Sequence, residues 1–392
     1  MRWILFFATF STLYGGLHLY AFLKVRRGMG LGSTAGLTLA VFMVFMVFCP
    51  LIVRTLERWG LETIPRVLAY VGYLWMGLMF LFFCSSLVVD LWNVSFHLLG
   101  KVDRGVGDRL VLPARWAFLV PFLLSLIILI YGYFEALAIR TEHMRFETPK
   151  ISAEMSGIRI AQISDVHLGL VVREGRLRRI MEAVQAEKPD IIVSTGDLVD
   201  GQIDHMNRLA ELLREVKTRY GKFAVTGNHE FYAGLDRALD FMAKAGFTVL
   251  RGQVAQLPGG IRIAGVDDRA GRASGRMAGG DEKELLSGLD REAFTLLLKH
   301  RSEVEEDSSG LFDLQLSGHA HGGQIFPFSL IVKRFFPRDA GLFPIPGGGY
   351  LYVSRGSGTW GPPIRFLAPP EVTIIELTHS PSTSASMTGP AS

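Results

Sequence analysis

Cysteine is nearly missing from this 392-residue chain, with only Cys49 and Cys84, and neither lies beyond the first apolar third. A disulfide framework is thereby excluded for everything after residue 84. The lack does not assign a compartment, because a cysteine-free domain suits either redox environment. Charge is also scarce, at 20% of residues, and unevenly so. Residues 1 to about 140 are crowded with Leu, Phe, Val and Met, while the remainder has the mixture of an ordinary soluble α/β protein. No run of Lys or Arg is long enough to track a phosphate backbone. The net charge of +4 therefore points to no nucleic-acid partner. Length alone suggests two or three domains.

Charge is most sparse in four stretches, about Trp3 to Leu23, Ser33 to Val53, Val67 to Val89 and Trp116 to Phe134. Crossing a bilayer as a helix takes roughly 20 residues, and a helix hides its own backbone polar groups. Residues 1–140 are thus expected to form an all-α anchor of four transmembrane helices. Lys24, Arg26 and Arg27 follow the first stretch, and Arg54, Glu57 and Arg58 the second. A cleaved signal peptide fits the first stretch less well: its charged leader is Arg2 alone, and no A-x-A site precedes Lys24. Lys and Arg divide seven against seven between the two sets of loops, so charge bias leaves the side of the soluble part undetermined. Apart from His18, ionisable groups stand at the span ends, Asp90 and Glu135 among them, which favours an anchor over a transport path.

From residue 148 the periodicity changes. Short strands are expected at Ile158 to Ile163, Asp190 to Ser194, Lys222 to Thr226, Phe247 to Leu250, Ile261 to Val266, Leu314 to Leu316, Tyr350 to Ser354 and Val372 to Leu377. Helices are expected at Arg173 to Glu187, His205 to Arg219, Gly234 to Ala245 and about Asp281 to Lys299. The alternation predicts a layered α/β domain over 148–379. Residues 380–392, rich in Ser, Thr and Pro, read as a disordered tail.

Five short segments stand where such a fold puts its ligands, mostly just past strand ends. They are Asp165-Val166-His167, Gly196-Asp197-Leu198-Val199-Asp200, Gly227-Asn228-His229-Glu230, Lys299-His300 at the close of a helix, and Gly318-His319-Ala320-His321. Singly each has an ordinary reading as a turn, an N-cap or a helix-end partner. Together they gather Asp, Asn and His on one sheet edge, a donor mixture suited to Mn, Fe or Zn, with glycines that let the backbone turn sharply.

This ordered set resembles the calcineurin-like metallophosphoesterase family, whose pattern is D-x-H, G-D-x-x-D, G-N-H-E, a lone His and G-H-x-H. The likeness spans about Ile158 to Leu377. Val353-Ser354-Arg355-Gly356 and Gly361-Pro362-Pro363-Ile364-Arg365 look like its bacterial membrane-associated branch, which implies an integral protein of the bacterial inner or cell membrane. The resemblance implies a layered β-sandwich flanked by helices and two divalent metal ions. Asp165, His167 and His321 would hold one metal and Asn228, His300 and His319 the other, with Asp197 bridging. His229 would be the general acid and Asp200 the carboxylate that orients it. Two cations about 4 Å apart neutralise phosphoryl oxygens and make hydroxide available near neutral pH, so that it can attack the phosphorus from between them. A histidine can then protonate the leaving alkoxide.

The expected function is hydrolysis of a phosphomonoester or phosphodiester at a membrane, with a phospholipid or lipid-linked substrate favoured by tethering. The alternative is a catalytically idle metal-binding scaffold, or an accessory domain of a membrane signalling or transport protein, but no ligand of the pattern is missing. Arg355 and Arg365 are candidates to grip phosphate and equally candidates for structural roles. The segment Phe326 to Phe343, rich in Phe, Lys and Arg, is either a surface that rests on lipid headgroups or a loop packed on the domain.

Overall fold

A run of apolar residues long enough to satisfy its own backbone becomes a helix, and the long apolar stretches in the first third of the chain do so. The computed structural model describes residues 2–101, 109–201, 206–381 and 385–389, with side chains from residue 8 onward. Helices α1 (Arg2–Met29), α2 (Ser33–Arg58), α3 (Thr63–Leu99) and α4 (Ala114–Glu135) follow one another. Three of them, α2, α3 and α4, are long and apolar enough to cross a membrane by length and composition. The expected first span begins among residues whose side chains lie outside those described. Residues 1–134, with the short segment 361–364, make one unit, with Ala21, Met43, Met79, Phe82 and Phe118 at its centre. Asp90 was expected at a span end within reach of headgroups. It instead lies inside the longer α3, where it accepts hydrogen bonds from Lys24 Nζ and Tyr20 Oη of α1.

The second unit comprises residues 135–360 and 365–392. One of its sheets runs β13-β1-β12-β2-β3-β4-β5 and the other β10-β11-β9-β8-β7-β6. The ranges are β1 Arg140–Thr148, β2 Ile158–Ile163, β3 Ile191–Ser194, β4 Lys222–Ala224, β5 Thr248–Val249, β6 Gln253–Leu257, β7 Ile261–Gly265, β8 Phe294–Leu298, β9 Leu314–Ser317, β10 Gly341–Pro344, β11 Tyr350–Val353, β12 Glu371–His379 and β13 Ser386–Thr388. Strands β2, β3, β4 and β5 are mutually parallel, as are β7, β8, β9 and β11.

Between the sheets lies an apolar layer including Phe146, Ile160, Val193, Ile263, Leu296, Leu316 and Ile375. Burying each such side chain contributes about 1.5–3 kcal/mol. On the outer face of the first sheet, helices α5 (Glu174–Ala186), α6 (Asn207–Glu215) and, after the one-turn α7 (Asn228–Ala233), α8 (Leu235–Lys244) bury Leu177, Ile180, Leu209, Leu213 and Phe241. The result is the expected layered β-sandwich flanked by helices.

Three expectations change. The helix foreseen over Asp281 to Lys299 is only Glu282–Ser287 (α10, after α9 at Ala270–Ser274), and Phe294–Leu298 is the strand β8. The run Phe-Thr-Leu-Leu-Leu lies between two parallel neighbours and is buried along its whole length. Such a strand is apolar on both faces and has no period to distinguish it from a buried helix. The sheet also takes in Arg140–Thr148, ahead of the expected start at residue 148, paired with β12 along nine residues. Part of the tail read as disordered, Ser386–Thr388, is a strand on the outer edge of β1. The expected helix start at His205 lies outside the described residues.

Candidate metal centre

Parallel strands send all their C-terminal ends to one edge. Here both sheets do so, and the loops after β2, β3, β4, β8 and β9 carry Asp165 and His167, Asp197 and Asp200, Asn228 and His229, His300, and His319 and His321 respectively. His300 therefore follows a strand and does not close a helix. The loops are held tightly. Asp165, His167, Asp197, His319, His321 and Gln324 all have φ between 51° and 76°, a region costly for residues with a Cβ, of order 1 kcal/mol or more each. Backbone bonds offset that strain: Asp165 N to Gly196 O at 3.1 Å, His167 N to Asp197 O at 3.0 Å and Asp200 N to Leu168 O at 2.7 Å. A Cβ on Gly227 would stand 2.1 Å from Asp197 Oδ1, and one on Gly318 2.1 Å from Asp165 Oδ2, so only glycine lets these loops approach.

At the centre is one oxygen, Asp197 Oδ2. It lies 3.2 Å from His300 Nε2, 3.8 Å from His167 Nε2 and 4.0 Å from His229 Nε2. The other oxygen accepts the His229 backbone N–H at 2.8 Å. Two imidazole pairs face each other across this carboxylate, His167 Nε2 to His321 Nε2 and His319 Nδ1 to His300 Nε2, both at 3.1 Å. Three groups of ligand atoms each fall within 4.8 Å: Asp165, His167 and His321; His167, Asp197 and His229; and Asp197, His300 and His319. His300 Nδ1 faces the Thr195 carbonyl at 2.8 Å. A carbonyl only accepts, so Nδ1 bears a proton and Nε2 is the atom turned to the centre, the one that offers its lone pair once a cation displaces the proton it carries. His167 Nδ1 is buried without a hydrogen-bond partner. Nitrogen facing nitrogen beside buried carboxylates is a donor set that fits two cations.

Buried charge sets the proton affinities. Burial lowers His167 to about 4, with the positive charge of His229 adding to it. Burial, the largest single influence, would also lower His300 and His229, but the surrounding carboxylates together outweigh it, Asp197 first, raising His300 to about 10 and, with Asp200, His229 to about 9. Burial raises Asp165. On Asp197 burial acts upward, yet the surrounding histidines, His300 first, hold its carboxyl well below the usual range. His229 Nδ1 donates to Asp200 Oδ1 at 2.8 Å, leaving Nε2 turned toward the centre.

Two residues had been left without a role by the sequence. Glu230 is wholly buried and accepts four backbone N–H groups: Asp197 at 3.0 Å, Leu198 at 2.8 Å, Val199 at 3.2 Å and Gly227 at 2.6 Å. It ties the Gly196–Asp200 loop to the Gly227–Glu230 loop, and its place as the last letter of a Gly-Asn-His-Glu turn was the available signal. Arg301 donates to Asp268 Oδ2 at 2.7 Å, to His319 Nε2 at 2.7 Å and to Asn228 Oδ1 at 3.5 Å. Its signal, a cation beside the lone His300, was hidden by the mistaken helix.

Of the two roles weighed for Arg355 and Arg365, gripping phosphate or supporting structure, both residues take the structural one. Arg365 is fully buried and gives its N–H groups to the carbonyls of Gly356, Gly358, His321, Arg355 and Ala368, clamping the backbone beneath His321. Arg355 pairs with Glu142 and Glu371.

A family profile described as calcineurin-like phosphoesterase matches residues 158–323. An uncharacterized metallophosphoesterase of Aquifex aeolicus is 42% identical over 248 residues, covering 63% of this chain and 95% of that one. A second, from Campylobacter jejuni, is 33% identical over 298 residues, covering 75% and 78%. A transmembrane protein with metallophosphoesterase domain from Danio rerio is 27% identical over 329 residues, covering 81% and 75%. The solved structure of a Haemophilus influenzae NAD nucleotidase aligns with 59% of this chain and 49% of its own at 17% identity, with a TM-score of 0.38, too low to bear on substrate.

Proposed function

The chain belongs to the calcineurin-like metallophosphoesterase family, and we propose that it is an integral membrane phosphoesterase that uses two divalent metal ions, Mn, Fe or Zn, to hydrolyse phosphomonoester or phosphodiester bonds. The observation that carries this reading is the surrounding of Asp197 Oδ2 by histidine nitrogens from three loops. Asp165, His167 and His321 would hold one ion and Asn228, His300 and His319 the other, with Asp197 shared. Such a pair of ions supplies charge neutralisation for phosphoryl oxygens and acidifies bound water.

The remaining work falls to the chain. Asp200 fixes the His229 ring through Nδ1 and favours its protonated form. His229 then presents Nε2–H to the departing oxygen and protonates it. Glu230 holds the two loops that carry Asp197, Asn228 and His229 in register. Arg301, steadied by Asp268, borders the residues of the second metal site and offers N–H groups to a phosphoryl oxygen. Helices α1 to α4 serve as the membrane anchor.

The test is hydrolysis of aryl phosphomonoesters and phosphodiesters by the purified full chain after metal stripping and reloading. Chelation should abolish turnover, and Mn, Fe or Zn should restore it. Full activity in stripped protein would overturn the metal mechanism. No turnover with both sites loaded would favour the idle scaffold.

A further inference from the structure

A water-facing domain scatters its exposed apolar residues singly, and this one does not. Among the described residues of the phosphoesterase unit, every large hydrophobic residue left exposed sits at the loops of the metal centre or on the helix that follows them. Tyr232 is 57% exposed and Trp360 54%, and each ring lies within 6 Å of the His229 ring, at 5.6 and 5.9 Å. Gln324 grips the Trp360 backbone from both sides, donating to its carbonyl and accepting from its N–H, each at 2.9 Å. Leu367 joins them through a backbone ladder in which Phe326 N bonds Phe366 O and Phe366 N bonds Gln324 O.

Five residues beyond Gly323 comes α11 (Phe328–Phe335), which has no buried residue. Phe328, Ile331 and Phe335 recur at i, i+3 and i+7 and make one stripe, with Phe335 74% exposed. Lys333 and Arg334 are exposed beside it. The helix is built against the site: a Cβ on Gly323 would meet Ser329 Cα at 2.2 Å, and the Phe336 ring lies 5.2 Å from that of His319.

We propose that α11, with Phe326, Tyr232, Trp360 and Leu367, is a rim that dips into a bilayer leaflet, and that the substrate is a phosphate ester carried by a lipid of that leaflet. Three observations select a bilayer over water or a protein partner. The chain carries its own membrane-length helices. The apolar stripe has cations beside it, the pattern of an interfacial helix on an anionic surface. Two rings of the patch, Tyr232 and Trp360, flank the candidate acid, and the end of α11 adjoins His319, so a tail lying along the patch would bring its phosphate to the candidate metal centre. The substrate half of this proposal rests on the phosphoesterase reading; the rim does not.

The experiment uses the full chain in nanodiscs of phosphatidylethanolamine and phosphatidylglycerol. Two probes share one reacting bond, methyl p-nitrophenyl phosphate and its hexadecyl counterpart. The wild type should show a kcat/KM at least about tenfold higher for the hexadecyl ester. The double variant Ile331→Ser/Phe335→Ser should lose that advantage and keep its rate on the methyl ester. Equal rates in the wild type, or an advantage intact in the variant, would overturn the proposal. Separately, a benzophenone amino acid in place of Ile331 should photo-crosslink to phospholipid, detected by mass. Crosslinks to protein only, or none, would overturn the rim. If neither these diesters nor p-nitrophenyl phosphate and hexadecyl phosphate, as monoesters, turn over with any metal while lipid adducts form, the phosphoesterase reading fails and the rim stands.

Discussion

Two polar clusters can be compared in this chain. In the helical unit, Asp90 meets Lys24 and Tyr20, while the His18 ring is satisfied on both sides, taking the Trp75 indole N–H at 2.8 Å and giving Nδ1–H to the Tyr14 carbonyl at 2.8 Å. In the second unit, imidazole nitrogens oppose each other at 3.1 Å beside Asp165 and Asp197. The first cluster is built on an ion pair and hydrogen bonds of matched sign, and the second is a donor set that fits cations. Buried polar groups are ordinarily paired, so it is the unmatched cluster, not polarity as such, that marks the functional centre.

The largest effect that sharpens this contrast comes from removing a carboxylate from each cluster. Asp197→Asn should lower phosphoesterase turnover by more than about 1,000-fold, because both metals lose a ligand. Asp90→Asn should leave turnover intact and only lower thermal stability, by roughly 1–3 kcal/mol. Similar losses of activity in a phosphatase assay would erase the distinction.

Next comes His229→Ala. It should cost about 100- to 10,000-fold on an alkyl ester and much less on a nitrophenyl ester, whose leaving group needs no proton. Because His229 Nε2 is 4.0 Å from Asp197 Oδ2, a ligand role would show itself as lost metal by elemental analysis, or as equal slowing of both esters.

Glu230→Gln acts on structure. It replaces a carboxylate that accepts four N–H groups with an amide that must turn a donor toward some of them, and should cost about 2–5 kcal/mol. The melting temperature of the catalytic unit checks this, and an unchanged value would show that the two loops hold without it.

Arg301→Ala should be the mildest. Lost charge-assisted hydrogen bonds to phosphate are worth about 1.5–3 kcal/mol, read as weaker inhibition by inorganic phosphate, with Arg301→Lys recovering part. Unaltered inhibition would return Arg301 to a purely structural role beside Asp268.

Much of this centre was legible before folding, because three of the five motifs combine chemically committed residues with a glycine that a sharp turn requires. The sandwich was legible for a similar reason, since Ile160, Val193 and Leu316 recur in short apolar runs between turn signals. What escaped was whatever depends on partners distant in sequence. Phe294–Leu298 is a strand only because β7 and β9 flank it, and once it was read as helix, Arg301 lost its place at the site. Thr148 looked like a boundary, yet the strand ending there pairs with β12 from the far end of the chain. Arg365 reads as a surface cation until five carbonyls close around it. In the Phe326–Phe343 segment, the packed-loop reading holds for Phe343, which packs on a core, while Phe328 and Phe335 stand exposed.

The central claim is that Asp197 joins two metal sites, and metal stoichiometry tests it most directly. Elemental analysis of the purified, reloaded full chain should give two ions per chain, and Asp197→Ala should retain fewer than one. A single ion in the wild type, or two ions still held by Asp197→Ala, would contradict the account.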